Sequence, residues 1–115
     1  MIYKKTWKYI LTKDDSNFCR RFNLYRVKSL KDFSDVHKGD IGGYIEGYHN
    51  LSRKGNCWVY DKALVGESAQ VTDNAIVCDS AKVFGNAKVS GNAKVTDNAH
   101  VGGFDVICGS SRVDK

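Results

Sequence analysis

In the second half of the chain apolar residues return at every sixth position, and the residues between them are polar or small. The unit is Ala-x-Val-x-Gly/Asp-Asn/Ser, and it occupies 69–74, 75–80, 81–86, 87–92 and 93–98 without a break in register. The same frame reaches back through Ala63-Leu64-Val65 to Cys57-Trp58-Val59. It runs forward through Ala99-His100-Val101 and Asp105-Val106-Ile107 to Ser111-Arg112-Val113. An amphipathic helix repeats near every 3.6 residues, and a hairpin strand alternates by two and then breaks, so neither holds valine and alanine at six. A period of six predicts a solenoid in which each hexapeptide is one short strand and roughly three of them close a triangular coil. Valine then points into the prism and alanine fits the corner. The Gly/Asp-Asn/Ser pair lies on the bend, where glycine, asparagine and aspartate best tolerate left-handed backbone angles.

The first fifty residues follow another pattern. Tyr3, Lys5, Trp7, Tyr9 and Leu11 alternate with Lys4, Lys8 and Ile10, a polar run Lys13-Asp14-Asp15-Ser16-Asn17 follows, and Phe18 to Val27 returns rich in aromatic and branched residues. This predicts a β-hairpin. A short helical turn is expected near Ser29, with Ser29 as its N-cap, and the glycines of Lys38-Gly39-Asp40-Ile41-Gly42-Gly43 lead the chain into the first coil. The division expected is residues 1–50 as a basic, aromatic-rich hairpin cap and 51–115 as the repeat. A solenoid end exposes core and unpaired strand edges, and the hairpin is suited to cover it. Trp7, Tyr9, Phe18, Phe22, Phe33 and Tyr44 are therefore expected to pack on the first coil.

Valine at the inward position with alanine four residues later resembles the hexapeptide-repeat proteins, whose fold is the left-handed parallel β-helix. The resemblance implies an all-β fold. A closer likeness covers Asp32 to Tyr44, then Leu51-Ser52 and Gly55 to Asp61, which together resemble uncharacterised enterobacterial and phage transferase-like proteins. Acyltransferases of this fold generally use a histidine near a subunit boundary and a loop that reaches over the neighbour. Here only His37, His49 and His100 exist, only His100 lies in the repeat, and the repeat has no long excursion.

Charge adds one feature. Through Lys54 twelve Lys and Arg face six acids, whereas from Gly55 onward six face seven, so the net charge of +5 belongs to the cap. Lys4, Lys5, Lys8, Arg20, Arg21, Arg26 and Lys28, with Lys13 beside them, are the candidate partner-binding set, for an acidic protein surface or for nucleic acid. The four cysteines, Cys19, Cys57, Cys78 and Cys108, show no Cys-x-x-Cys pair, which argues against a zinc site. Nothing calls for a cofactor. No stretch is apolar enough to span a bilayer, and Met1 to Lys8 lacks the core of a secretion signal, so a cytoplasmic address is expected.

Stacking every eighteen residues places Trp58 over Ile76 over Lys94, with Tyr60 over Cys78 over Thr96, and sets Phe84 between Gly66 and Gly102. Trp58 and Tyr60 are expected to meet the cap. Ile76, Phe84, Val106 and Cys108 are expected to meet another subunit of a dimer or trimer. The function anticipated is a non-catalytic protein-binding module. With the phage likeness, that means an accessory protein occupying a host complex such as a defence system, in the manner of an anti-CRISPR protein. The alternatives are an acyltransferase-like enzyme using His100 with an acyl-coenzyme A donor, and nucleic-acid binding through the basic cap.

Overall fold

The computed structural model describes residues 7–13 and 24–114, which are all-β apart from one 3₁₀ turn at Tyr48–Asn50. Three five-residue strands come first: β1 (Tyr9–Lys13), β2 (Tyr25–Ser29) and β3 (Ile41–Ile45). Ten two-residue strands follow, one per hexapeptide: β4 (Trp58–Val59), β5 (Leu64–Val65), β6 (Gln70–Val71), β7 (Ile76–Val77), β8 (Lys82–Val83), β9 (Lys88–Val89), β10 (Lys94–Val95), β11 (His100–Val101), β12 (Val106–Ile107) and β13 (Arg112–Val113).

These strands stack as a three-sided solenoid. One side carries β4, β7, β10 and β13, the second β6, β9 and β12, and the third β3, β5, β8 and β11, all in parallel register. Trp58 pairs with Ile76, Ile76 with Lys94 and Lys94 with Arg112, which is the eighteen-residue coil the sequence implies. Inside the prism Ile45, Val65, Val83 and Val101 form one column and Val59, Val77 and Val95 another, each at most 3% exposed. Burying a valine in such a column contributes roughly 1.5–3 kcal/mol. The columns fix the register, because a slip of one residue would turn the lysines of β8, β9 and β10 inward.

Each corner from Tyr60 to Ala99 is a four-residue turn closed by a backbone bond onto alanine, as in Ala63 N to Tyr60 O at 3.0 Å and Ala81 N to Cys78 O at 3.2 Å, and Asp105 and Ser111 take the place of alanine in the next two. The residue after the turn's first takes a left-handed φ: Asp61, Glu67, Asp73, Asp79 and Asp97 lie between 54° and 59°, and Gly85 and Gly91 at 69° and 64°. The acidic corners do a second job. Asp79 Oδ2 accepts from Asp97 N one coil below at 3.0 Å, Asp73 Oδ2 from Gly91 N at 2.9 Å, and Glu67 Oε1 from Gly85 N at 2.8 Å.

The lid is continuous with the third side. β1 pairs antiparallel with β2, β2 with β3, and β3 then runs parallel to β5, giving one six-stranded sheet. No helical turn begins at Ser29. Ser29 ends β2 and its hydroxyl donates to Lys31 O at 2.6 Å, after which Phe33 and Val36 close a tight antiparallel turn. Tyr9, Val27, Val36 and Trp58 are buried together, with the Trp58 ring edge-on to Phe33 at 5.2 Å and to Tyr9 at 6.1 Å.

The lid also supplies hydrogen-bond donors. One coil down, the carbonyls of Asp73, Ala75, Asp79, Gly85 and Ala87 accept from the backbone amides of Cys57, Trp58, Lys62, Ser68 and Gln70 above them. In the first coil the corresponding carbonyls have no coil above, and side chains take the place of amides. Lys8 Nζ donates to Gly55 O (3.3 Å) and Cys57 O (2.8 Å), Arg26 to Asp61 O (3.0 Å), and Asn50 Nδ2 to Glu67 O (3.2 Å) and Ala69 O (2.8 Å). The Tyr9 hydroxyl donates to Leu51 O. A buried carbonyl left without a donor costs about 1–3 kcal/mol, so these side chains end the solenoid as an extra coil would.

Candidate functional site

The outward row of the side carrying β4, β7 and β10 forms an open groove of about 200 Å³ lined by Asp35, Tyr60, Asp61, Ile76, Cys78, Asp79 and Lys94. Its upper rim is made where the lid meets the first coil, with Tyr60 Oη donating to Asp35 Oδ1 at 2.6 Å. Burial, and then that hydrogen bond from phenol to carboxylate, raise the Tyr60 pKa well above its ordinary 10.0, so the phenol stays a donor. The Cys78 thiol is pushed up to about 11 by burial, with the Asp79 carboxylate adding to it. At neutral pH it is a thiol, not a thiolate, and a weak nucleophile. Three carboxylates against one lysine make the groove net acidic. All three are partly spent, since Asp35 Oδ1 accepts from Tyr60 Oη, Asp61 Oδ2 from Asp79 N at 3.3 Å and Asp79 Oδ2 from Asp97 N.

The histidines stand apart from the groove. His37 Nδ1 lies 3.8 Å from Asp40 Oδ2 in the exposed turn of the lid. His49 Nε2 lies 2.7 Å from Glu67 O, in the 3₁₀ turn. His100 is exposed on β11, directly below Lys82 of β8, and so lies on another side of the prism. Among the described residues no group of three or more His, Cys, Asp and Glu side chains is placed to hold a metal ion, and no helix is long and apolar enough to cross a membrane.

The basic set anticipated from sequence divides. Lys4, Lys5, Arg20 and Arg21 fall outside the described residues, as do Phe18 and Phe22. Lys8 is not on the surface: it is 1% exposed, because the first coil's carbonyls and the Phe33 ring, 5.1 Å from its ammonium, hold it inside. Arg26 is half-buried and committed, with bonds to Gly42 O at 2.7 and 3.0 Å and its guanidinium 4.8 Å over the Tyr44 ring. Lys28 is exposed. Alternation along the hairpin sets Tyr9 and Lys8 on opposite faces, but Lys8 precedes β1 and turns in.

Of the four residues expected at a subunit contact, Ile76 and Phe84 are half-buried, on two different sides. The Phe84 ring sits over Gly66, where an added Cβ would meet it at 2.7 Å. Val106 is 63% exposed and Cys108 is exposed, both on the second side, and Phe104 nearby is 83% exposed, an apolar side chain that the repeat frame hides because it falls at a corner. Trp58 and Tyr60 do meet the lid. Asn50, fully buried and central to the junction, lies in a polar stretch with no repeat to mark it.

No protein-family profile matches the chain. A stretch of 39 residues is 41% identical to a protein of Escherichia coli (strain K12) named uncharacterized acetyltransferase YdcK; it covers 34% of this chain and 12% of that protein.

Proposed function

We propose that this chain is an acyltransferase-type solenoid, moving an acyl group from a thioester donor to an amine or hydroxyl acceptor, with His100 as general base. The observation that carries this reading is the 41% identity over 39 residues to a protein named as an acetyltransferase, on a chain that folds as a parallel β-solenoid. The position of His100 supports it. Among the described residues it is the one imidazole on a flat strand face, exposed, with neither the backbone partner of His49 nor the carboxylate of His37 beside it in the bonds above. Lys82 stands above it in register and gives that face a positive charge suited to the phosphates of a coenzyme A thioester. Acyl transfer would then need His100 to take the acceptor's proton as the acceptor attacks the thioester carbonyl, with the thiol leaving.

The test is release of free thiol from acetyl-coenzyme A in the presence of a panel of amines and alcohols. Acceptor-dependent release that falls about 10²–10⁴-fold in His100→Ala supports the reading. Release that is absent with every acceptor, or unchanged in His100→Ala, removes it. A second reading, docking on a protein partner without catalysis, draws on the exposed Phe104 and Val106. It predicts no turnover in the same assay.

A further inference from the structure

Lys8 and Cys57 are both buried, at 1% and 0% exposure, and Lys8 Nζ lies 3.4 Å from Cys57 Sγ. One belongs to the lid and the other to the first coil, forty-nine residues on. Among the described residues the other groups within hydrogen-bond reach of the thiol are the carbonyls of Ser52 and Lys54, and no second thiol competes for it in this contact. We propose that this pair is an oxidative modification site, at which hydrogen peroxide joins Nζ and Sγ through one bridging oxygen atom and ties the lid to the solenoid.

The chemistry balances with two molecules of peroxide. The thiol sulfur attacks the first, forming an S–O bond as the O–O bond breaks, and leaves a sulfenic acid and water. The amine attacks the second, forming an N–O bond, and leaves a hydroxylamine and water. The hydroxylamine oxygen then displaces hydroxide from the sulfenic sulfur, and that hydroxide leaves as water with the hydroxylamine proton. Sulfur and nitrogen are oxidised, and peroxide is reduced.

Burial keeps the Cys57 thiol protonated and slows the first step, whereas the surroundings favour the steps that follow. A sulfenic acid on Cys57 would face an amine rather than another thiol. Desolvation holds Lys8 below the usual lysine range, against the opposing pull of Cys57, and this shifts Lys8 toward the amine form that carries a lone pair. Peroxide has a short path, because residues 53–56, immediately before Cys57, are exposed. The site is independent of acyl transfer.

The test treats the reduced full chain with hydrogen peroxide, followed by intact mass and tandem mass spectrometry without thiol in the work-up. The expected species has gained one oxygen and lost two hydrogens, yields a peptide pair joined through Lys8 and Cys57, and reverts with dithiothreitol. Lys8→Arg, which keeps a cation and a donor in the lid, should lose that species and accumulate sulfenic or sulfinic acid on Cys57. Any of three results overturns the proposal: a wild-type Cys57 that gives only sulfur acids or stays unmodified, a joined pair that dithiothreitol leaves intact, as a sulfinamide would be, or the same species in Lys8→Arg.

Discussion

Lys8 Nζ lies 2.8 Å from Cys57 O, the place that the Trp58 amide takes on Ala75 O one coil below. A side chain from the lid thus continues the hydrogen-bond ladder past the last coil that could supply an amide. Lys8→Met keeps most of the stem that packs on Phe33 but leaves Gly55 O and Cys57 O without this donor. It should lower unfolding free energy by about 1–3 kcal/mol in urea titrations at neutral pH. Lys28→Met, at an exposed cation of the same lid, should stay within about 0.5 kcal/mol of wild type. Equal effects would mean that the buried bonds of Lys8 contribute nothing particular.

The Gly66–Phe84 contact gives a second test, because Phe84 occupies the space a side chain at Gly66 would need. A Cβ there would meet the Phe84 ring at 2.7 Å and Glu46 Oε1 at 3.3 Å. Gly66→Ala should cost about 1–3 kcal/mol through overpacking. With Phe84→Ala in the same chain the added methyl has room, so the double variant should be more stable than the sum of the two single losses predicts. Strict additivity in a double-mutant cycle would show that the ring moves aside freely.

The repeat made the prism legible because inward valines and corner residues are fixed by geometry that every coil shares. Val77, Val83 and Val89 are all fully buried for one reason, and Asp73, Asp79 and Asp97 share one corner conformation. The junction has no such redundancy. Lys8, Asn50 and Arg26 are used once each, and their types suggest solvent when taken singly. A signal was nonetheless present: the first coil must end in carbonyls that need donors, and Lys, Arg, Tyr and Asn side chains just upstream can supply them. Asn50 shows how fully, since its Oδ1 accepts from Glu46 N and Gly47 N while Nδ2 donates to Glu67 O and Ala69 O. The groove was half legible: the column Tyr60, Cys78 follows from the coil length, whereas Asp35 reaches it only through the fold of the lid.

Asp79 separates the two duties of a corner carboxylate. At φ 59° it needs a residue that tolerates the left-handed region, and its Oδ2 holds the amide of Asp97. Asp79→Asn keeps both properties and should change stability by less than about 0.5 kcal/mol. Asp79→Ala loses both, and should cost about 1–3 kcal/mol from the strained backbone and the lost bond together. Asp79→Gly relieves only the backbone and should fall between the two. Thermal or urea midpoints in the order Asn, Gly, Ala check this, and an alanine variant as stable as the asparagine one would count against corner strain.

Alkaline stability should depend on Cys78. In the unfolded chain its thiol ionises near the ordinary 9.0, whereas in the fold, burial with the help of Asp79 holds the proton until about 11. Between those values the folded state binds more protons than the unfolded one, so the stability Cys78 contributes is fully present below 9.0 and is lost as pH rises toward 11. Cys57 and Tyr9, also raised by burial, act in the same direction at the alkaline end. Lys8 acts the other way: its folded pKa lies below 10.5, so the unfolded chain binds more protons between the two values and its share of stability rises with pH there. Because those groups are common to both proteins, comparing wild type with Cys78→Ser isolates one thiol. Urea titrations across the interval should show wild type losing stability more steeply than Cys78→Ser, the two slopes converging below 9.0. Cys78 is only half-buried, so the difference in slope will be small, but its sign is fixed. Parallel slopes throughout would mean that the thiol in the groove is as well solvated as in the unfolded chain, and that the groove wall does not shield it.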